Sequence, residues 1–242
     1  MHDMRLRYRR AILGPLWITI SNGMVFAVIG FVYSQVLNIP VKSFVPYFAV
    51  GQVCFNFFAL HISESATCLI SHEPVIKNAP QPFALYIARV LLRNMLYLGH
   101  SLVSLLIVFL VFPDAIDLAP ENVFLCLAGF ALLISFGWVL GSMVALLATR
   151  WRDVLPLVQN VLTVVYLITP ILWKSSLVSP EYRWIIELNP LAAIMDLIRA
   201  PLVPQIQVSG DATAIAMIGV IVLAASALWL YHRYRAKIAF WL

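Results

Sequence analysis

The sequence predicts an all-α integral membrane protein with about six transmembrane helices and both ends in the cytoplasm, a single domain over residues 1–242. Three observations predict it. Only 11% of the residues are charged and 62% are hydrophobic, whereas a soluble domain carries roughly a quarter charged residues. Apolar stretches recur near 16–37, 44–60, 84–112, 123–148, 154–173 and 212–231, each close to the ~20 residues a helix needs to cross ~30 Å of hydrocarbon. The connections between them also alternate in charge. Segments expected inside hold Arg5, Arg7, Arg9, Arg10, Lys77, Arg89, Arg93, Arg150, Arg152, Arg233, Arg235 and Lys237, and those expected outside only Lys42, Lys174, Arg183 and Arg199. Basic residues mark the cytoplasmic side of membrane proteins, so this split sets the N-in, C-in orientation.

The first span follows a basic cluster, Met4-Arg5-Leu6-Arg7-Tyr8-Arg9-Arg10, with Gly14-Pro15 as a corner before Leu16. As a helix, Met4, Tyr8, Ala11, Ile12 and Pro15 share one side and the arginines take most of the rest, as in a helix lying on the membrane surface. An ordinary positive flank that only fixes topology accounts for the same charges. The apolar stretch is too long for a cleavable signal peptide and has no small-residue cleavage site, so it stays as a span.

After the second span, residues 61–82 form a longer connection than crossing requires, and such loops are where function concentrates. Ile62, Ala66, Leu69 and Ile70 continue a helical spacing until Glu73-Pro74, and Asn78-Ala79-Pro80-Gln81-Pro82 breaks the chain again. This predicts a helix continuing below the span, a bend, and a short exposed segment around Pro74–Lys77; a longer tilted span with a plain loop is the alternative. Arg89 and Arg93, near the cytoplasmic end of the third span, can snorkel toward lipid phosphates. The loop with Asp114, Asp117 and Glu121 and no basic residue is the clearest outside segment. Arg150-Trp151-Arg152-Asp153 is a short cytoplasmic turn bearing both signs, suited to pairing with a neighbour or to marking topology, with Asp153 capping the fifth helix.

The second long connection, 174–211, holds Pro180, Pro190, Pro201 and Pro204. Between them Glu181–Leu188 and Leu191–Arg199 are too short to span and read as two external re-entrant or surface helices. Trp173, Tyr182 and Trp184 suit the membrane–water interface as an aromatic belt, or the rim of a passage that contacts carbohydrate.

Little chemistry lies inside the spans. Ser21, Asn22, Gln52, Asn56, Gln159 and Asn160 are residue types that make helix–helix contacts. His61, His72, His100 and His232 have no second ligand at metal spacing and no carboxylate pair accompanies them, so no catalytic or metal site is expected. Cys54, Cys68 and Cys126 read as packing residues. The net charge of +5 sits at membrane edges and faces anionic lipid, not nucleic acid. No Gly-rich phosphate loop with lysine occurs, so this chain binds no nucleotide cofactor and any energy comes from another chain.

The stretch Arg7-Tyr8-Arg9-Arg10-Ala11-Ile12-Leu13-Gly14-Pro15-Leu16-Trp17 resembles the N-terminal signature of the membrane subunits of ABC polysaccharide exporters, which move O-antigens, capsules and teichoic acids. Further matching stretches are Val75-Ile76-Lys77-Asn78-Ala79-Pro80-Gln81-Pro82, Arg89 with Arg93-Asn94, Arg150-Trp151-Arg152-Asp153-Val154, and Leu188-Asn189-Pro190 through Ile198-Arg199. The similarity covers nearly the whole chain. One departure is the short segment Met1–Leu6 before the Arg-Tyr motif, where such subunits have more residues; either the surface helix is short or the start is truncated.

The resemblance implies a homodimer, two copies of a separate ATPase that binds ATP and Mg, and a lipid-linked polysaccharide crossing the bacterial inner membrane. It casts Glu73, Pro74 and Lys77, with Arg150, Arg152 and Asp153, as ATPase-coupling residues. The helix from His61 to about His72 becomes a gate beside the substrate's entrance. Arg5, Arg7, Arg9, Arg10, Arg89 and Arg93 face lipid phosphates, Trp173, Tyr182 and Trp184 stand at the channel exit, and the two external helices close the channel's far end. Competing readings are a related permease for small amphiphiles or drugs, a membrane-embedded enzyme on polyprenyl phosphates, for which the expected acid, histidine or arginine cluster is missing, and an ion channel or uncoupled carrier, which calls for buried ionisable residues or broken helices at mid-membrane, which are also expected to be missing.

Overall fold

The computed structural model describes residues 16–78, 81–117, 119–203, 210–234 and 237–241, all α-helix, short 3-10 turns and connections. The basic cluster of Arg5, Arg7, Arg9 and Arg10 and the Gly14-Pro15 corner lie outside the described residues. The helices are α1 Leu16–Val36, α2 Val41–Cys68, α3 Glu73–Asn78, α4 Phe83–Val111, α5 Pro120–Arg150, α6 Val154–Ile168, α7 Trp184–Glu187, α8 Pro190–Arg199, α9 Gly210–Tyr234 and α10 Ile238–Trp241. Among the described residues, α1, α2, α4, α5 and the Met217–Tyr234 part of α9 are each long and apolar enough to cross a membrane.

The fifth apolar stretch differs from its expectation. It was expected to run helical to Trp173, but α6 ends at Ile168 after 15 residues. The cause is local: the ring of Pro170 disfavours helical backbone at the residue before it, and Thr169 is extended at φ −76°, ψ 133°. At 1.5 Å per residue α6 covers about 22 Å, short of the ~30 Å hydrocarbon core. The residues after the break turn inward, with Thr169, Pro170 and Ile171 buried.

Helix α2 is the centre of the bundle and packs on α1, α4, α5, α6 and α8. Its 28 residues reach about 42 Å, so it runs on below the hydrocarbon as its spacing predicted. Phe44, Phe48 and Phe57 are fully buried along it, and Phe44 stacks on Phe48 with ring centroids 6.1 Å apart. Lipid tails are as apolar as leucine, so such packing must come from shape, and small residues let helices close on one another. A Cβ at Gly129 of α5 would lie 2.7 Å from Ile198 Cγ1, and one at Gly141 2.7 Å from Ser65 Oγ. Asn22 makes the helix–helix contact expected of it, its Nδ2 donating to Ser101 Oγ at 3.1 Å and Ser104 Oγ at 3.3 Å. The α1–α2 turn reverses through Asn38 at φ 52°, a left-handed conformation that asparagine tolerates.

The two expected external helices are present with different depths. Residues 180–188 form a 3-10 turn and the short α7, exposed at Tyr182 and Trp184. Helix α8 is a buried wedge, with Leu191 through Met195 and Ile198 all inside, packed among α2, α5 and α9. Asn189 starts it by accepting from the backbone N–H of Leu191 and Ala192. Cys54, Cys68 and Cys126 are free and buried, as packing residues.

Candidate functional site

At the expected cytoplasmic end the structure brings one member of each group of coupling candidates, Glu73 and Arg152, near each other. After Cys68 the chain bends through a 3-10 turn, Ile70–His72, into α3. Six residues cannot hold a helix alone; α3 is anchored by Ile76, buried in a cluster with Leu69, Tyr86, Ile87, Leu146 and Ile238. Pro74, Val75 and Lys77 are left exposed. Lys77 Nζ donates to Glu73 Oε1 at 2.7 Å, and this bond and charge hold the Glu73 carboxyl below its usual range, with the nearby positive charge of Arg152 adding to the effect. Arg150 lies with its guanidinium carbon 5.8 Å from the Trp151 ring centre and 5.5 Å from that of Trp241. Asp153 occupies the cap position of α6 but its side chain makes no capping hydrogen bond, so capping is not its role here.

The two interface arginines separate. Arg89 is exposed. Arg93 does not stand free toward phosphates: its Nη2 donates to Glu64 Oε2 at 2.7 Å, tying α4 to α2. Glu64 was not singled out from the sequence, because its partner comes from another helix and no local spacing reveals it.

Above this end a groove of about 490 Å³ opens between α2, α4 and α6, with Asn56, Ser63, Tyr97, Gln159, Thr163 and Tyr166 among its lining residues. Tyr166 Oη donates to Gln52 Oε1 at 2.8 Å and Gln52 Nε2 donates to Asn56 Oδ1 at 2.9 Å. Gln52 makes the expected contact between helices, α2 to α6, while Asn56 is bonded within α2 and lines the groove. Amides and hydroxyls can donate and accept, and Phe55 and Tyr166, with ring centres 4.8 Å apart, add flat apolar faces. Such a mixture suits a neutral polyhydroxylated solute.

At the opposite end the exit candidates also divide. Tyr182 and Trp184 are exposed on the hairpin. Trp173 is half-buried and turns back, its indole Nε1 donating to Leu167 O at 3.2 Å. Arg199, counted from the sequence among the outside loop charges, is wholly buried. His61 is buried as well, against Gly137 and Gly141 of α5, with neither ring nitrogen hydrogen-bonded. The sequence expectation of no buried ionisable residue is thus corrected. Arg199 sits three residues after Asp196 in an apolar helix, which was the available signal.

Among the described residues no group of His, Cys, Asp or Glu is arranged to hold a metal ion. The profile of the ABC-2 type transporter family matches residues 1–203. The chain is 24% identical over 198 residues to an O-antigen export system permease protein RfbA of Klebsiella pneumoniae, covering 80% of this chain and 74% of that protein. It is 21% identical over 195 residues to an O-antigen export system permease protein RfbA of Myxococcus xanthus, again covering 80% and 74%. With long apolar helices and a family match across most of its length, this multi-pass membrane chain belongs to the ABC-2 type transporter family.

Proposed function

We propose that the chain is the permease subunit of an exporter that moves a lipid-linked, O-antigen-like polysaccharide across the bacterial inner membrane. It works as a homodimer with two copies of a separate ABC ATPase, which binds the ATP and Mg. The observation that carries this reading is the groove between α2, α4 and α6, where amides, hydroxyls and aromatic rings are set among the aliphatic Ala59, Leu60 and Leu162, in a chain similar over 80% of its length to O-antigen export permeases. The exposed α3 tip, with Glu73, Pro74 and Lys77 beside Arg152, is the docking element for the ATPase. Motion there reaches the bundle through Ile76 and then along α2, whose 28 residues join the α3 end to the hairpin end in one continuous helix. Arg89 and the N-terminal arginines Arg5, Arg7, Arg9 and Arg10 meet lipid phosphates, and Tyr182 and Trp184 rim the exit.

The test is reconstitution with the ATPase partner in vesicles holding an undecaprenyl-linked glycan. ATP-dependent movement of glycan, with hydrolysis stimulated by the lipid-linked glycan, is expected. Stimulation by small amphiphiles and none by glycan would replace this substrate class with small lipids or drugs.

A further inference from the structure

Arg199 has no exposed surface, and what surrounds it joins three separate elements. Its Nη1 donates to Pro170 O at 2.8 Å, in the turn that follows the broken α6, and lies 3.5 Å from Asp196 Oδ1 on α8. Its guanidinium carbon lies 4.1 Å from the ring centre of Tyr47 on α2. The Tyr47 hydroxyl lies 2.8 Å from the same Pro170 O and 3.0 Å from Trp173 O, and its single proton serves one of these carbonyls at a time. A second link to the same turn comes from the start of α8, Asn189 Nδ2 donating to Thr169 Oγ1 at 3.0 Å. Space for the guanidinium exists because α2 carries glycine at position 51: a Cβ there would lie 2.8 Å from the guanidinium carbon and closer still to Nη2.

Packing alone does not call for arginine at this place. Its Nε and Nη2 have no hydrogen-bond partner, and a buried cation with open donors is costlier than an apolar side chain of the same length. What the guanidinium adds is direction. It holds a backbone carbonyl exposed by the Pro170 break while stacked on Tyr47, so α8 can seat in one position against α2 and α6.

We propose that Arg199 is a positioning residue, the latch that fixes the external hairpin on the end of α6 and thereby keeps the far end of the passage shut at rest. Gly51 is its receptacle and Tyr47 its platform. This rests on the permease reading above, but its test needs no glycan.

The assembled complex with its ATPase is reconstituted in vesicles loaded with maltotriose, and resting leak and basal ATP hydrolysis are measured. Arg199→Met, which keeps the stem as far as the position of Nε and removes the rest of the guanidinium with its charge, should raise leak at least about fivefold with hydrolysis unchanged. Gly51→Ala should raise leak comparably by displacing the guanidinium. The double variant Gly51→Ala/Arg199→Met should leak no more than Arg199→Met alone, because the methyl then has nothing left to displace. Tyr47→Phe keeps the ring face and should show a smaller increase, and Arg199→Lys, with one compact donor head, an intermediate one. Leak equal to the parent in Arg199→Met and Gly51→Ala overturns the latch, as does strict additivity in the double variant. If every variant, including Tyr47→Phe and Arg199→Lys, fails to assemble, Arg199 is a packing residue and the latch is rejected. A parent that moves no glycan while the variants leak as described removes the polysaccharide reading and leaves the latch.

Discussion

Replacing Ile76 with alanine tests the coupling path at its narrowest point. Helix α3 is six residues and Ile76 is its one buried side chain, 2% exposed in the cluster with Leu69, Tyr86, Ile87, Leu146 and Ile238. Ile→Ala at a buried site costs about 2–4 kcal/mol, and here the loss falls on docking of α3 more than on the bundle, because the cluster's other members are held by their own helices. At about 1.4 kcal/mol per tenfold, the docked-to-undocked ratio of α3 should fall by about 30- to 700-fold. Ile76→Val removes one methyl, about 1 kcal/mol, and should lower the ratio about fivefold. Amide hydrogen exchange over 73–78 reads the undocking, and the ratio of glycan moved to ATP hydrolysed reads the coupling, both in the assembled complex. Ile76→Ala should speed exchange at these amides, leave exchange in α5 unchanged, and lower the transport ratio with hydrolysis retained. Unchanged exchange and an unchanged ratio would refute α3 as the element that carries the motion.

Three further outcomes are expected. Glu64→Gln and Arg93→Gln should each lower thermal stability modestly, the pair being partly exposed, and the double variant should lose less than their sum; additive losses would show that the 2.7 Å bond contributes nothing. Tyr182→Ala and Trp184→Ala, both exposed, should assemble normally and slow export if the aromatics contact the glycan, whereas unchanged export in both leaves a membrane belt. Cysteines placed at the exposed Asp117 and Ser176 should react with an impermeant reagent from outside and one at Lys77 only after the membrane is opened, the three native cysteines being buried; the reverse pattern overturns the N-in orientation.

Most of the fold was legible in the sequence because its signals are local. Long apolar runs place α1, α2, α4, α5 and α9, since no other backbone satisfies its hydrogen bonds within so many apolar residues. The hairpin between Pro180 and Arg199 follows from prolines and short apolar pieces, whereas the expected bend at Glu73-Pro74 lies just before it, in the 3-10 turn Ile70–His72, and Glu73-Pro74 opens α3 because proline is tolerated in a helix's first turn. The end of α6 was equally local, written in Thr169-Pro170, and was overrun only because the hydropathy continues to Trp173.

Which way each helix faces was decided by the tertiary structure alone. A helix apolar all round carries no mark of whether lipid or protein covers it: α1 and α2 are both apolar, yet α1 shows Leu16, Trp17, Met24, Val28 and Phe31 on its surface while α2 is buried along most of its length. The same applies to the charges. Arg93 and Arg199 are ordinary basic residues in a loop-charge count, and only folding sets Glu64 of α2 against the first and Gly51 and Tyr47 of α2 against the second. Contacts between residues so far apart in the chain leave no periodicity to read, because they depend on how closely two helix backbones approach. That approach is set by where glycines such as Gly51, Gly129 and Gly141 fall opposite one another's neighbours in space.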